Sequence, residues 1–256
     1  MKVSIIEATP NADRLICAAA RGDYMMDSLV DVDLSDDGDF QDVMEGAASD
    51  TVDEFIARLL KQGHFGPMEH PQASLAIERV SRTCMAQFRT HRHATFDVQS
   101  LRYTIPNFDV IYDIWDSGEY ERIEDYVIVP RAIEVHGGEE MRMNYLKECA
   151  EDFVNYAYYV RDLQPEFEEI GYKPSKAKKM AAQDARFKLP QGTAVNMTVS
   201  ANLRAWMHII DMRDAGDAQW EARDLAQAIH SALHDVAPIT FENYDQHAKG
   251  ASKKAP

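Results

Sequence analysis

The sequence predicts an α+β protein. Segments with a two-residue apolar alternation and segments with a helical apolar period both occur, and they do not take turns in the β-α-β order that builds a parallel sheet. Long helical patterns fill the second half, with strand-like pieces on either side of them. No internal repeat or linker divides the 256 residues. One domain is expected over residues 1–248, with 249–256 as a disordered tail.

Residues 2–8 read as a first strand, ended by Thr9-Pro10-Asn11, and 12–21 as a short helix. Asp23 to Glu54 holds no Lys or Arg and reads as a solvated, partly irregular segment. A helix follows, capped within Ser49-Asp50-Thr51. It sets Val52, Phe55, Ile56, Leu59 and Leu60 on one face and stops at Gly63. Residues 72–80 alternate as a strand, and Ser81 caps a helix running through Cys84, Met85 and Phe88 towards His91. Ser100–Ile105, Val110–Tyr112 and Tyr126–Val129 read as short strands. Gly137-Gly138 opens a long helix with Met141, Tyr145, Cys149, Phe153 and Ala157 along one face, which Pro165 should kink or end. Ser175 caps a basic helix carrying Lys176, Lys178 and Lys179, ended by Asp184–Gly192. Residues 193–201 alternate again, and Asn202 opens a helix to Arg213. A final helix spans Ala218–Val236.

Acidic residues number 43 against 27 basic ones, for a formal net charge of −16. That field repels polymeric nucleic acid and anionic lipid, which are not expected as partners. Cys17, Cys84 and Cys149 have neither zinc-ligand nor redox spacing. No stretch reaches the roughly 20 apolar residues of a membrane span, and Met1–Glu7 lacks a signal-peptide core, so a cytoplasmic protein is expected.

Against this acidic background, Arg89–Tyr103 packs three arginines and two histidines into one run. Arginine's planar fork of donors suits phosphates and carbonyl-bearing rings. Further arginines stand far along the chain at Arg186, Arg204 and Arg213. Phosphate-loop, dinucleotide, HExxH and GxSxG signatures are missing. His64, Glu69, His70, His91 and His93 are metal-ligand types, but His64 and His70 do not fall one helical turn apart and nearby arginines oppose a cation, so no metal is expected. Cys84, midway along an amphipathic helix, is expected in the core. The residues alone indicate a phosphorylated ligand and leave the reaction open.

Thr90-His91-Arg92, seven residues, then Ser100-Leu101-Arg102-Tyr103 resembles the Arg-His-Arg…Ser-x-Arg-Tyr signature of the flavin-dependent thymidylate synthase family. His64-Phe65-Gly66-Pro67-Met68-Glu69-His70 resembles its His-x-Ser/Thr-Pro-x-Glu-His block, and Ala185–Pro190 its Ala-Arg-x-x-Leu-Pro. Asn202-Leu203-Arg204, His208, Arg213 and Ala218–Glu221 follow its late block in order and spacing. The resemblance implies a mostly antiparallel central sheet flanked by helices, in an intertwined homotetramer with sites between subunits. It implies reductive methylation of dUMP to dTMP, with methylenetetrahydrofolate as carbon donor and NADPH-reduced FAD as hydride source.

By the same resemblance, Gln87, Arg89, Thr90, Gln99, Ser100, Leu101, Arg102, Arg186 and Arg213 would hold dUMP. FAD would meet His64, Gly66, Thr90, His91, Arg92, Asn202, Leu203, Arg204 and His208. Arg213 would carry the chemistry, since a fixed guanidinium stabilises charge developing on the pyrimidine. Thr90 stands where the family has Arg, with Arg89 beside it; Gly66 lacks the hydroxyl; Val98 and Asp217 also depart from the pattern. The alternatives are a flavin- and nucleotide-binding relative without synthase activity, and a metal-dependent nucleotide hydrolase built on the histidines.

Overall fold

A computed structural model of the chain describes residues 1–23, 29, 32–35, 44, 51–104 and 106–251. Most of the acidic stretch, Ser49 and Asp50 of the expected helix cap, Ile105 and the tail from residue 252 lie outside them. The chain folds as two compact units, one of residues 1–78, 87–97 and 197–256, the other of 79–86 and 98–196.

Strands β1 (Lys2–Ala8), β2 (Gln72–Ser81), β3 (Thr95–Val98) and β4 (Ala194–Asn202) form one sheet in the order β1-β2-β4-β3. β1 runs antiparallel to β2, pairing Val3 with Ile77 and Ile5 with Leu75, and a register shift separates Ile5 from Glu7. Alternation sends Ala73, Leu75 and Ile77 of β2, and Val195, Met197, Val199 and Ala201 of β4, into the core. The α+β class holds.

In the first unit, helices α1 (Ala12–Gly22) and α2 (Val52–Lys61) precede a 3-10 turn at Gly66–Glu69. Thr51 caps α2, its hydroxyl accepting from the Glu54 N–H at 3.2 Å. Helix α3 (Arg82–Phe88) leads towards the basic run, with Cys84 fully buried as expected. In the second unit, α4 (Phe108–Ser117), α5 (Arg131–His136), the 32-residue α6 (Gly138–Glu169) and α7 (Pro174–Ala185) pack around Phe153 and Tyr156. Back in the first unit come α8 (Leu203–Arg213), α9 (Trp220–His234) and α10 (Pro238–His247). Fully buried Trp206, Phe241 and Tyr244 anchor these helices, each large ring adding about 1.5–3 kcal/mol or more of burial.

Several elements differ from expectation. Ser100–Thr104 is a turn, not a strand: the Tyr103 and Thr104 N–H groups both return to the Ser100 carbonyl, at 2.9 and 3.0 Å. The strand lies earlier, at β3. Val110–Tyr112 is helical because Asn107 caps α4, accepting from the Asp109 N–H at 3.0 Å, and Gly118 ends it at φ 74°. Tyr126–Val129 makes only an isolated bridge, Val127 to Thr193. Pro165 neither ends nor stops α6, which continues to Glu169. Pro165 is exposed, so water can serve the carbonyl it leaves unpaired. Lys173, not Ser175, is the N-cap of α7, because Pro174 takes the first helical position where no N–H is needed.

The helix α10 has no counterpart in the sequence reading, and its cap explains why. Asp13, at the start of α1, accepts the Ile239 and Thr240 N–H groups at 3.2 and 2.9 Å and the Thr240 hydroxyl as well. Burial raises the Asp13 carboxyl pKa, and these bonds oppose the rise. Asp13→Ala leaves the donors unpaired and should lower stability by about 1–3 kcal/mol in urea unfolding. Asp13→Asn, which keeps an acceptor oxygen, should lose less.

Candidate active site

Arg213 is the last residue of α8, a helix fixed at its start by the Asn202 carboxamide, which accepts the Ala205 N–H at 2.8 Å. The helix is held from its buried side. Trp206 donates its indole N–H to the Ala73 carbonyl at 3.2 Å, and Asp211 takes the Tyr244 hydroxyl and the Gly250 N–H, the latter at 2.6 Å. The guanidinium therefore projects from a well-held end.

It meets the loop that follows α3. Nε donates to His91 Nε2 at 2.9 Å, while Nη2 donates to the Gln87 carbonyl at 2.7 Å and to the Thr90 hydroxyl at 2.9 Å. The Phe88 ring lies 6.0 Å from the guanidinium carbon. Arginine donates only, so His91 Nε2 must carry no proton, which makes His91 neutral with its proton on Nδ1. Burial, then the charge of Arg213, then His208, pushes the His91 pKa down to about 4. The His208 ring stands edge-on to His91 at 6.0 Å.

A cavity of about 210 Å³ opens here, with Thr90, His91, Arg92 and His93 on the loop side and Ala205, His208 and Ile209 on the α8 side. Arg204, on the first turn of α8, is ion-paired with Glu69 of the 3-10 turn that Gly66 begins. A side chain at Gly66 would meet nothing within 4 Å, so that position is an open cradle. His64 is exposed just before it. Asn202 spends its carboxamide oxygen on the helix cap. Leu203 is fully buried, its N–H given to the Pro71 carbonyl at 3.0 Å. Glu69 is taken by Arg204, and His91 by Arg213.

Gln99, Ser100, Leu101, Arg102 and Arg186 belong to the second unit. Gln99 accepts the Asn196 N–H at 3.0 Å, Leu101 is buried, and the Ser100 carbonyl closes the turn described above. Arg102 Nε is buried without a hydrogen-bond partner among the described residues, a donor fit for an anionic ligand. Arg186 begins a 3-10 turn, and burial followed by its charge lowers the pKa of Arg82.

Sequence reasoning missed three features of this unit. Arg82 joins the arginine group. Lys179 lies 3.9 Å above the ring of Tyr103, hydrogen-bonds its hydroxyl and so lowers the phenol pKa. A cavity of about 450 Å³ stands beside Arg79, which adopts φ 59° and donates its guanidinium to the Asp125 and Glu124 carbonyls at 2.8 and 2.7 Å. A basic residue ending a strand was the available signal for Arg79; the others are contacts across the sequence and had none. Among the described residues no helix is long and apolar enough to cross a membrane.

The fold and the fixed arginine define an α+β protein with a cationic, histidine-flanked site. The family model described as thymidylate synthase complementing protein matches residues 4–239. A flavin-dependent thymidylate synthase of Halobacterium salinarum is 40% identical over 259 residues, 97% of either chain. One from Haloarcula marismortui is 38% identical over 264 residues, 99% of either chain. Crystal structures of thymidylate synthase X from Helicobacter pylori with FAD and dUMP superpose with TM-scores of 0.63 and 0.64 at 19% identity. They cover 95% and 97% of this chain and 98% and 100% of theirs, a likeness of fold. The chain belongs to the flavin-dependent thymidylate synthase family.

The neutral His91 carries a pH signature. Its folded pKa lies below the ordinary 6.5, so the unfolded chain binds the proton more readily between about 4 and 6.5. Its contribution to stability is full above about pH 6.5 and shrinks as pH falls towards about 4. His91→Gln keeps an acceptor for Arg213 Nε but does not titrate. Thermal melts from pH 4 to 7 should show a shallower acid loss in this variant than in the parent; equal slopes would remove His91 as the cause.

Proposed function

We propose that the protein converts dUMP to dTMP by reductive methylation, with methylenetetrahydrofolate giving the one-carbon unit and NADPH as reductant. The single observation that carries the proposal is the Arg213 guanidinium, oriented by three acceptors in a chain that matches its family over residues 4–239. Bound FAD, once reduced, supplies the hydride. Arg213 holds the pyrimidine and stabilises negative charge developing on N3 and the ring carbonyls, which makes C5 the better carbon nucleophile. No side-chain nucleophile is required: burial raises the Cys17 thiol pKa to about 12 and that of Cys149 to about 11.

Gln87, Arg89, Gln99, Ser100, Leu101, Arg102 and Arg186 hold the nucleotide, the arginines meeting its phosphate. His64, Gly66, His91, Arg92, Arg204 and His208 hold FAD, with Asn202 and Leu203 setting the start of α8. The donors suit a flavin dinucleotide, and the open space at Gly66 leaves room for a side chain there. The cavity beside His208, about 210 Å³, is smaller than the roughly 300–1,000 Å³ that encloses a whole ligand of drug size. In this reading the subunits of a homotetramer complete one another's sites, and residues 1–248 act as one functional domain.

Purified protein supplied with dUMP, methylenetetrahydrofolate, NADPH and FAD should form dTMP. Arg213→Ala should retain its flavin absorbance while turnover falls about a hundredfold or more; a near-normal rate would remove Arg213 from the chemistry. Gly66→Ser should tighten flavin binding by up to about tenfold, the value of one added hydrogen bond, as read by fluorescence titration.

A further inference from the structure

We propose that Thr90 is a positioning residue for Arg213, acting through the guanidinium rather than on a ligand; this deepens the synthase reading and rests on Arg213 acting at the pyrimidine. The Thr90 hydroxyl has both of its directions fixed. It donates to the Gln87 carbonyl at 2.7 Å, which turns its lone pairs outward, and there it accepts from Arg213 Nη2 at 2.9 Å. The Gln87 carbonyl thus receives Thr90 Oγ1–H and Arg213 Nη2 together, and the three groups close a ring of hydrogen bonds. A β-branched side chain has few rotamers, so the hydroxyl is pinned at little entropic cost.

The two edges of the guanidinium are served differently. His91 fixes Nε from an imidazole, while Nη2 depends on the Thr90–Gln87 pair. With the hydroxyl gone, Nη2 loses an acceptor and the guanidinium plane is freer to turn about the Cδ–Nε bond. A displacement of about 1 Å in a reacting group can reduce a rate by about a hundredfold without weakening binding. Threonine supplies this acceptor without a charge of its own.

The experiment compares Thr90→Val, which removes the hydroxyl at equal volume, with Thr90→Ser, which restores it, in the full-length protein. Thr90→Val should lower kcat about tenfold to a hundredfold, with KM for dUMP and flavin occupancy within about twofold of the parent. Thr90→Ser should recover most of kcat. Crystal structures of the parent and of Thr90→Val should show the Arg213 guanidinium rotated away from Gln87 in the variant only. A raised KM with unchanged kcat would make Thr90 a ligand contact and overturn the proposal, as would an unmoved guanidinium. If valine crowds the loop, Thr90→Ala gives the same comparison. A parent protein that forms no dTMP defeats the synthase reading, while the pair of crystal structures still decides whether Thr90 places Arg213.

Discussion

A guanidinium can only donate, and this chain meets the one at Arg213 with acceptors from the end of α3 and the loop after it: a backbone carbonyl, a hydroxyl and an unprotonated imidazole nitrogen. Much else follows from satisfying it. His91 has to stay neutral, which its burial and the adjacent cation both enforce. The loop has to leave α3 so that Gln87, Thr90 and His91 converge, and α8 has to end where its last side chain reaches them. The cation also meets the partial negative charge at the end of its own helix and the Gln87 carbonyl near the end of α3.

The scaffold behind that contact is built from helix ends tied to distant residues. α8 is pinned at its start by its own cap at Asn202, in its middle by Trp206 against β2, and near its end by Asp211 against Tyr244 of α10. α10 in turn is capped by Asp13 of α1. Apart from the Asn202 cap, each link joins residues remote in the sequence, so the position of Arg213 depends on contacts beyond its own helix. Burial of Asp13 works against its charge, and the cap holds because its oxygens find donors.

The acidic balance of the chain gives this site its contrast. With a formal net charge of −16, positive potential is confined to local groups: Arg92, Arg204 and Arg213 in one unit, Arg82, Arg102 and Arg186 in the other. Such groups suit small anionic ligands. The orphaned Nε of Arg102 and the mutual influence of Arg82 and Arg186 mark places where cations have been gathered at some electrostatic cost.

By itself, the sequence determined whatever depends on near neighbours. The alternation of β2 and β4, the one-sided apolar face of α2, and the caps at Thr51, Ser81 and Asn202 are local, and they stand as read. Its motifs also pointed to the arginines proposed for the site, because residue order and spacing carry that resemblance directly. Tertiary structure decided the rest. Val110–Tyr112 is β-prone taken alone, but the Asn107 cap and Gly118 stop frame it as helix, while Tyr126–Val129 gains only a bridge to Thr193. α10 depends on a cap more than two hundred residues away, invisible to any local window. So does the meaning of Thr90: in the sequence it is a gap in a motif, and only the arrival of Arg213 from α8 turns its hydroxyl into an acceptor. Local propensity fixes elements; the pairing of donors with acceptors across the chain fixes what those elements are for.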